Sequence, residues 1–209
     1  MTSPLVLQAF QFGKQRIELY VPDPVHVQQK FLQQIKEAPS IASPYWSQVW
    51  PAALSLSQFL VDHSHLVQNK KVLELAAGLG LPSLVAAAYA NNVYCTDYLP
   101  EAIEVINRTI AYNQFNNVGT GLLNWNELPE NITADVLLLS DINYEPASFD
   151  VLFSVLQRFV NQGTTIILST PQRIMAKPFV GRLLPWCIQQ EEITVQENIR
   201  TTVMVFRGQ

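Results

Sequence analysis

The sequence predicts a doubly wound α/β domain, and three stretches carry that prediction. Val72-Leu-Glu-Leu-Ala-Ala-Gly-Leu-Gly-Leu-Pro-Ser-Leu-Val-Ala-Ala-Ala88 reads as a buried strand, a glycine turn and an apolar helix. Val93-Tyr-Cys-Thr-Asp97 reads as a second strand that ends on a carboxylate. Val136 to Leu139 is a continuous apolar run, the pattern of a central strand covered on both faces. In an open sheet of this kind, ligands bind beyond the carboxyl ends of the strands. The glycine turn, Asp97 and Asp141 are therefore expected to share one cleft.

Composition fits one such domain. The 209 residues are enough for a single core, and 48% hydrophobic against 14% charged residues excludes a disordered chain. The net charge is -4 with no basic run, which argues against a nucleic-acid partner. The longest apolar runs fall short of a membrane span. The opening Met1-Thr-Ser-Pro4 has no basic start before a long apolar core, so no signal peptide is expected. Cys95 and Cys187 fit no metal spacing, and Cys95 reads as a small core residue in its strand. A reducing, cytoplasmic setting is expected.

In chain order, Leu5 to Phe12 and Arg16 to Val21 alternate around Gly13-Lys14, which predicts a β-hairpin. Asp23-Pro24 supplies an N-cap and a first-turn proline for a helix with Val27, Phe31 and Ile35 on one face, ended by Ala38-Pro39. The loop Ser43-Pro-Tyr-Trp-Ser-Gln-Val-Trp-Pro51 holds two of the four tryptophans. Trp46 and Trp50 either pack this loop onto the core or form an aromatic lid whose π faces favour a cation. Pro51 opens another helix, to Val61. His63-Ser-His65 is too closely spaced for a metal pair and reads as an exposed turn; with His26 the only other histidine, no metal site is expected.

The glycine turn narrows the ligand. Gly78 and Gly80 permit a tight turn and close approach to bare backbone, and Asp97 is placed to grip a ribose. A dinucleotide fingerprint wants a third Gly or Ala where this chain has Ser83, and Gly-Lys-Ser/Thr is missing. Glu74, just before the turn, would repel a phosphate but hold an ammonium or sulfonium group; the plainer alternative is that it caps local backbone donors. The charges point to S-adenosylmethionine, cationic at sulfur and zwitterionic at its amino-acid end.

A helix from Pro100 to about Asn113 follows, with Ala102, Ile103, Ile106 and Ile110 at helical spacing. Val118 to Leu123 forms a third strand. Trp125 just beyond it stacks on a purine or covers the sheet edge. The strand at Val136 ends on Ser140-Asp141; Asp141 either faces the cleft or caps the helix near Pro146 to Val160. Three carboxylates with almost no Lys or Arg at these strand ends predict a site for a positively charged guest. Thr164 to Ser169 is a further strand, Ile174 to Trp186 a helix broken near Pro178, and Ile188 to Val195 with Thr201 to Phe206 an antiparallel pair that closes the sheet.

Five pieces together resemble the seven-β-strand methyltransferases of the family 16 protein-lysine type. They are Ser47-Gln-Val-Trp50-Pro-Ala-Ala53, Leu73-Glu-Leu-Ala-Ala-Gly-Leu-Gly-Leu-Pro-Ser83, Thr96-Asp97, Asn124-Trp125 and Asp141-Ile-Asn-Tyr144, in that order along the chain. The resemblance implies a Rossmann-like, mostly parallel sheet in the order 3-2-1-4-5-7-6 with its last strand antiparallel. It implies a single methyltransferase domain over residues 1–209: residues 1–50 give the hairpin, helix and tryptophan loop, and residues 51–209 the core. It also implies that Trp50, the turn from Ala76 to Gly78, Asp97, Trp125 and Ser140 contact S-adenosylmethionine, and that Asp141 and Tyr144 border the methyl-acceptor pocket. The implied reaction is N-methylation of a lysine on a protein partner, with Asp141 orienting the amine and Tyr144 as wall and hydrogen-bond partner. A small amine of the nicotinamide kind as acceptor, and a non-catalytic binding protein of the same fold, stay open because substrate does not follow from fold. One departure stands out: the family usually has Gly where this chain has Ala76, which would strain a left-handed turn.

Overall fold

The computed structural model describes residues 4–37, 43–196 and 198–208. Its central sheet has seven strands in the order β5-β4-β3-β6-β7-β9-β8. These strands are β3 (Lys71–Glu74), β4 (Asn92–Asp97), β5 (Val118–Leu122), β6 (Val136–Ser140), β7 (Thr165–Pro171), β8 (Cys187–Val195) and β9 (Ile199–Phe206). Neighbours from β5 to β7 run parallel, and β9 lies antiparallel to both β7 and β8. Counted along the core, this is the order the resemblance implies.

The hairpin β1 (Leu5–Phe12) and β2 (Gln15–Pro22) forms a small sheet of its own. It buries Phe12, Ile17, Leu19 and Val21 against α2 (Pro51–Asp62) and α3 (Leu81–Ala86). It is tied to α4 (Pro100–Asn113) by Asn113, whose Oδ1 accepts from Glu18 N at 3.2 Å and whose Nδ2 donates to Glu18 O at 2.8 Å. In α2, Leu56, Phe59 and Leu60 are fully buried, each removal from water contributing about 1.5–3 kcal/mol. The opposite face of the sheet is covered by α5 (Phe149–Asn161), through Leu152, Val155, Leu156, Phe159 and Val160, and by α6 (Lys177–Leu183). Helix α1 (Pro24–Glu37) starts as expected, with Asp23 Oδ1 accepting from His26 N at 2.7 Å. Only Val27 of its predicted face is buried, and its predicted end at Ala38-Pro39 lies outside the described residues.

Some boundaries differ from expectation. Pro178 does not break the last helix; it occupies the first turn of α6, where its missing N–H costs nothing. Helix α3 stops at Ala86, two residues short of the predicted Ala88. His63 is not simply exposed: its Nε2 lies 2.9 Å from Glu191 Oε2 and its ring rests on Phe59. Among the described residues no group of acidic, cysteine or histidine side chains is placed to hold a metal, and no helix is long and apolar enough to cross a membrane.

Beneath the outermost strand lies one tight fit. Tyr94 of β4 spreads over Gly119 and Gly121 of β5, and a Cβ at position 121 would run into the tyrosine hydroxyl.

Candidate active site

The turn after β3 is built from positive-φ positions: Ala76 at +52°, Gly78 at +58° and Gly80 at +74°. Glycine enters this region freely, whereas an L side chain pays about 1–2 kcal/mol, so Ala76 is a strained residue in the left-handed conformation the family's glycine would occupy. The turn is held by Ala77 N donating to Thr96 O at 2.9 Å and Gly78 N donating to Asp97 Oδ2 at 2.9 Å. A Cβ on Gly78 would approach the Trp46 carbonyl oxygen to 3.3 Å. A Cβ on Gly80 would approach Cys95 Sγ to 2.8 Å, so that glycine serves helix-to-sheet packing.

The carboxylates have distinct roles. Glu74 is fully buried, lines neither of the two cavities at the cleft, and accepts from Ser83 N at 3.0 Å and Ser83 Oγ at 2.5 Å. Burial pushes its carboxyl up to about 8, and its Oε1 has no partner. Asp97 is 3% exposed and also accepts from Leu99 N at 3.0 Å. Burial raises its carboxyl, and the backbone bonds from Gly78 and Leu99 oppose that rise. Asp97 does face the cleft, at the end of β4.

Asp141 follows β6 with φ +55° and its N–H donating to Ser169 O at 2.9 Å. Its carboxylate is held by the Arg173 guanidinium through both oxygens, Nη2 to Oδ2 at 3.0 Å. It does not cap the following helix. The expected mouth of three unpaired carboxylates is therefore corrected: one is buried and favours its protonated form at neutral pH, and one is paired with Arg173. Sequence reading missed Arg173 because the two partners stand 32 residues apart and the arginine sits in an unpatterned loop.

The cleft holds a cavity lined by Trp46, Trp50, Ala76, Gly78, Gly80, Asp97, Trp125, Ser140, Asp141 and Tyr144 among others. Every expected site residue except Glu74 borders it. A second cavity shares Tyr45, Ala76, Tyr98, Trp125 and Tyr144 and adds Asn124 and Asn126. The tryptophan loop roofs the first: Trp50 Nε1 donates to Tyr45 O at 2.7 Å, and the Tyr45 ring meets the Tyr144 ring edge-on at 5.1 Å. Tyr45 and Tyr98 were not anticipated as lining residues. Burial and neighbouring acidic groups push the Tyr144 hydroxyl up to about 12, so it is a hydrogen-bond donor at neutral pH.

Comparison with known proteins matches residues 28–183 to a family model described as lysine methyltransferase. Among curated relatives, histone-arginine methyltransferase METTL23 of Xenopus laevis is 34% identical over 118 residues, which are 53% of this chain and 50% of that protein. EEF1A lysine methyltransferase 3 of Mus musculus is 30% identical over 165 residues, 75% of this chain and 70% of that protein. The chain spans about half the length of several of the curated relatives it matches. Among solved structures, the N-methyltransferase NodS of Bradyrhizobium japonicum, in complex with S-adenosyl-L-homocysteine, superposes with a TM-score of 0.59. That match has 13% identity and covers 84% of this chain and 97% of NodS; it shows the shared fold.

Proposed function

We propose a function from one premise: the chain belongs to the lysine methyltransferase family. It transfers a methyl group from S-adenosylmethionine to a side-chain nitrogen of a protein, with lysine as the acceptor. The observation that carries this reading is a single cavity beyond the parallel strand ends that gathers the glycine turn, Asp97, three tryptophans, Asp141 and Tyr144. Residues 1–50 and 51–209 act as one catalytic domain, because Trp46 and Trp50 line the same cavity as Asp97 and Asp141.

The residues present fit the cofactor. Asp97 keeps lone pairs free beside its backbone bonds and suits a ribose diol. Trp50 and Trp125 offer π faces to a cation and to a purine. When bound, S-adenosylmethionine supplies an electrophilic methyl group. The chain's own task is to place an uncharged amine in line with it and exclude water. Removal from water beside Tyr45 and Tyr144 lowers the pKa of an amine held there, so that its proton passes to solvent before transfer. Asp141 accepts a hydrogen bond from the amine N–H, and the Tyr144 hydroxyl limits how the amine can turn.

A protein acceptor is supported over a small molecule by the exposed apolar side chains of Ile174 and Met175, 82% and 52% exposed, which follow Arg173 in sequence. A second reading, arginine as acceptor, is favoured by Asp141, which already grips a guanidinium with both oxygens. Relatives named for histone-arginine methylation agree with it.

The test is methyl transfer from tritiated S-adenosylmethionine into a lysate, resolved by size and followed by hydrolysis of the labelled protein. Label in protein as methyl-lysine is expected, and methyl-arginine would select the second reading. Label only in small molecules refutes a protein acceptor. No label from a preparation that binds the cofactor refutes enzymatic function.

A further inference from the structure

The Asp141–Arg173 pair has a consequence for what the acceptor must carry. The pair joins the carboxyl ends of two adjacent strands, since Asp141 N donates to Ser169 O and Arg173 N donates to Pro171 O at 2.8 Å. The aspartate side chain is 7% exposed and the arginine side chain 29%. A carboxylate this far out of water is stable because the guanidinium faces it, and a cationic acceptor that approaches Asp141 competes with that guanidinium for its oxygens. The arginine would then lose its partner while still partly buried, a heavily unfavourable exchange. Glu192, a carboxylate near this loop, is already engaged by Gln172 at 2.6 Å. An anion carried by the incoming molecule would keep the guanidinium paired through the exchange.

We propose that Arg173 reads a carboxylate on the substrate, so that the acceptor is a cationic side chain with an acidic residue beside it. Binding then replaces one internal ion pair by two across the interface: acceptor to Asp141, and substrate carboxylate to Arg173. The fork of the guanidinium, which meets both oxygens of Asp141, is equally matched to both oxygens of a substrate carboxylate. Arg173 is thus a specificity residue, followed in sequence by the exposed Ile174 and Met175. The inference rests on the reading of a cationic protein side chain as acceptor.

The experiment uses the whole chain loaded with S-adenosylhomocysteine and blocked pentapeptides that differ only at the residues flanking a central lysine. Affinity is measured by calorimetry for glutamate, glutamine and lysine flanks, with a central-arginine series in parallel. Glutamate flanks should bind at least about tenfold more tightly than glutamine flanks, and lysine flanks least, as expected for a charge-assisted bidentate contact. Arg173→Gln should bring glutamate and glutamine flanks within about twofold of each other. Arg173→Lys should restore part of the preference, because a lysine keeps the charge without the fork. Equal binding of the two peptides by the unmodified protein overturns the inference without any variant. So does a preference that survives in Arg173→Gln, or a failure of every peptide to bind. Failure of S-adenosylhomocysteine itself to bind strikes the proposed function instead, and a preference seen only in the arginine series sustains this inference while changing the acceptor.

Discussion

Glu74 offers the sharpest thermodynamic test. It has no solvent exposure, spends one carboxyl oxygen on Ser83 and leaves the other without a partner. Burial is the main reason its carboxyl rises from 4.5 to about 8, with repulsion from Asp97 adding to it and the Ser83 bonds opposing it. In the unfolded chain the proton leaves near 4.5; in the folded chain it stays until about 8. The folded state therefore binds more protons across that interval, and stability falls as pH rises through it. At about 1.36 kcal/mol per pH unit, the full loss is about 5 kcal/mol, absent below the unfolded value and complete above the folded one. Glu74→Gln keeps an acceptor for Ser83 and removes the titration. Urea denaturation from pH 5 to pH 9 should find the two proteins close at the acid end. The variant should be more stable by several kcal/mol at the alkaline end, up to that figure. Parallel profiles for the two proteins would refute the argument, since they would mean that the glutamate ionises in the folded state as readily as in the unfolded one.

Three further outcomes are expected. Asp97→Ala removes the acceptor for Gly78 N and Leu99 N as well as the ribose contact, and should weaken S-adenosylmethionine binding by about 1–3 kcal/mol in calorimetry; an unchanged Kd would remove Asp97 from the site. Ala76→Gly relieves a left-handed alanine, about 1–2 kcal/mol, against about 0.4–1 kcal/mol of added chain entropy in the unfolded state, so the denaturation midpoint should rise slightly. A clear fall would show that the Ala76 methyl is packed rather than strained. Gly80→Ala meets Cys95 Sγ at 2.8 Å and should destabilise by about 1–3 kcal/mol, with part recovered by adding Cys95→Ala; no recovery would assign the whole effect to backbone conformation.

The sequence was most legible where one signal had no competitor. Pro100 and the Asn116-Asn117 turn delimited α4, and the unbroken run from Val136 placed a central strand. The seven-stranded order came from the resemblance rather than from any pattern within the strands. Within the site, the residues that line the cavity were foreseen better than their electrostatics. A strand's alternation says little about its last residue, so Glu74 could be assigned to the cleft although it turns into the core. The φ of Ala76 is a backbone property that its side chain argues against. Arg173 escaped because an ion pair between two loops leaves no periodic trace. Pro178 was ambiguous in principle, since proline both interrupts helices and begins them.

The tyrosine lying across the rim strand has a consequence for how this chain can change. Any side chain introduced at Gly121 collides with the Tyr94 ring, whereas a smaller residue at position 94 conflicts with nothing at position 121. Growth at position 121 therefore requires the exposed Tyr94 ring to swing off the strand or to be replaced by a smaller residue.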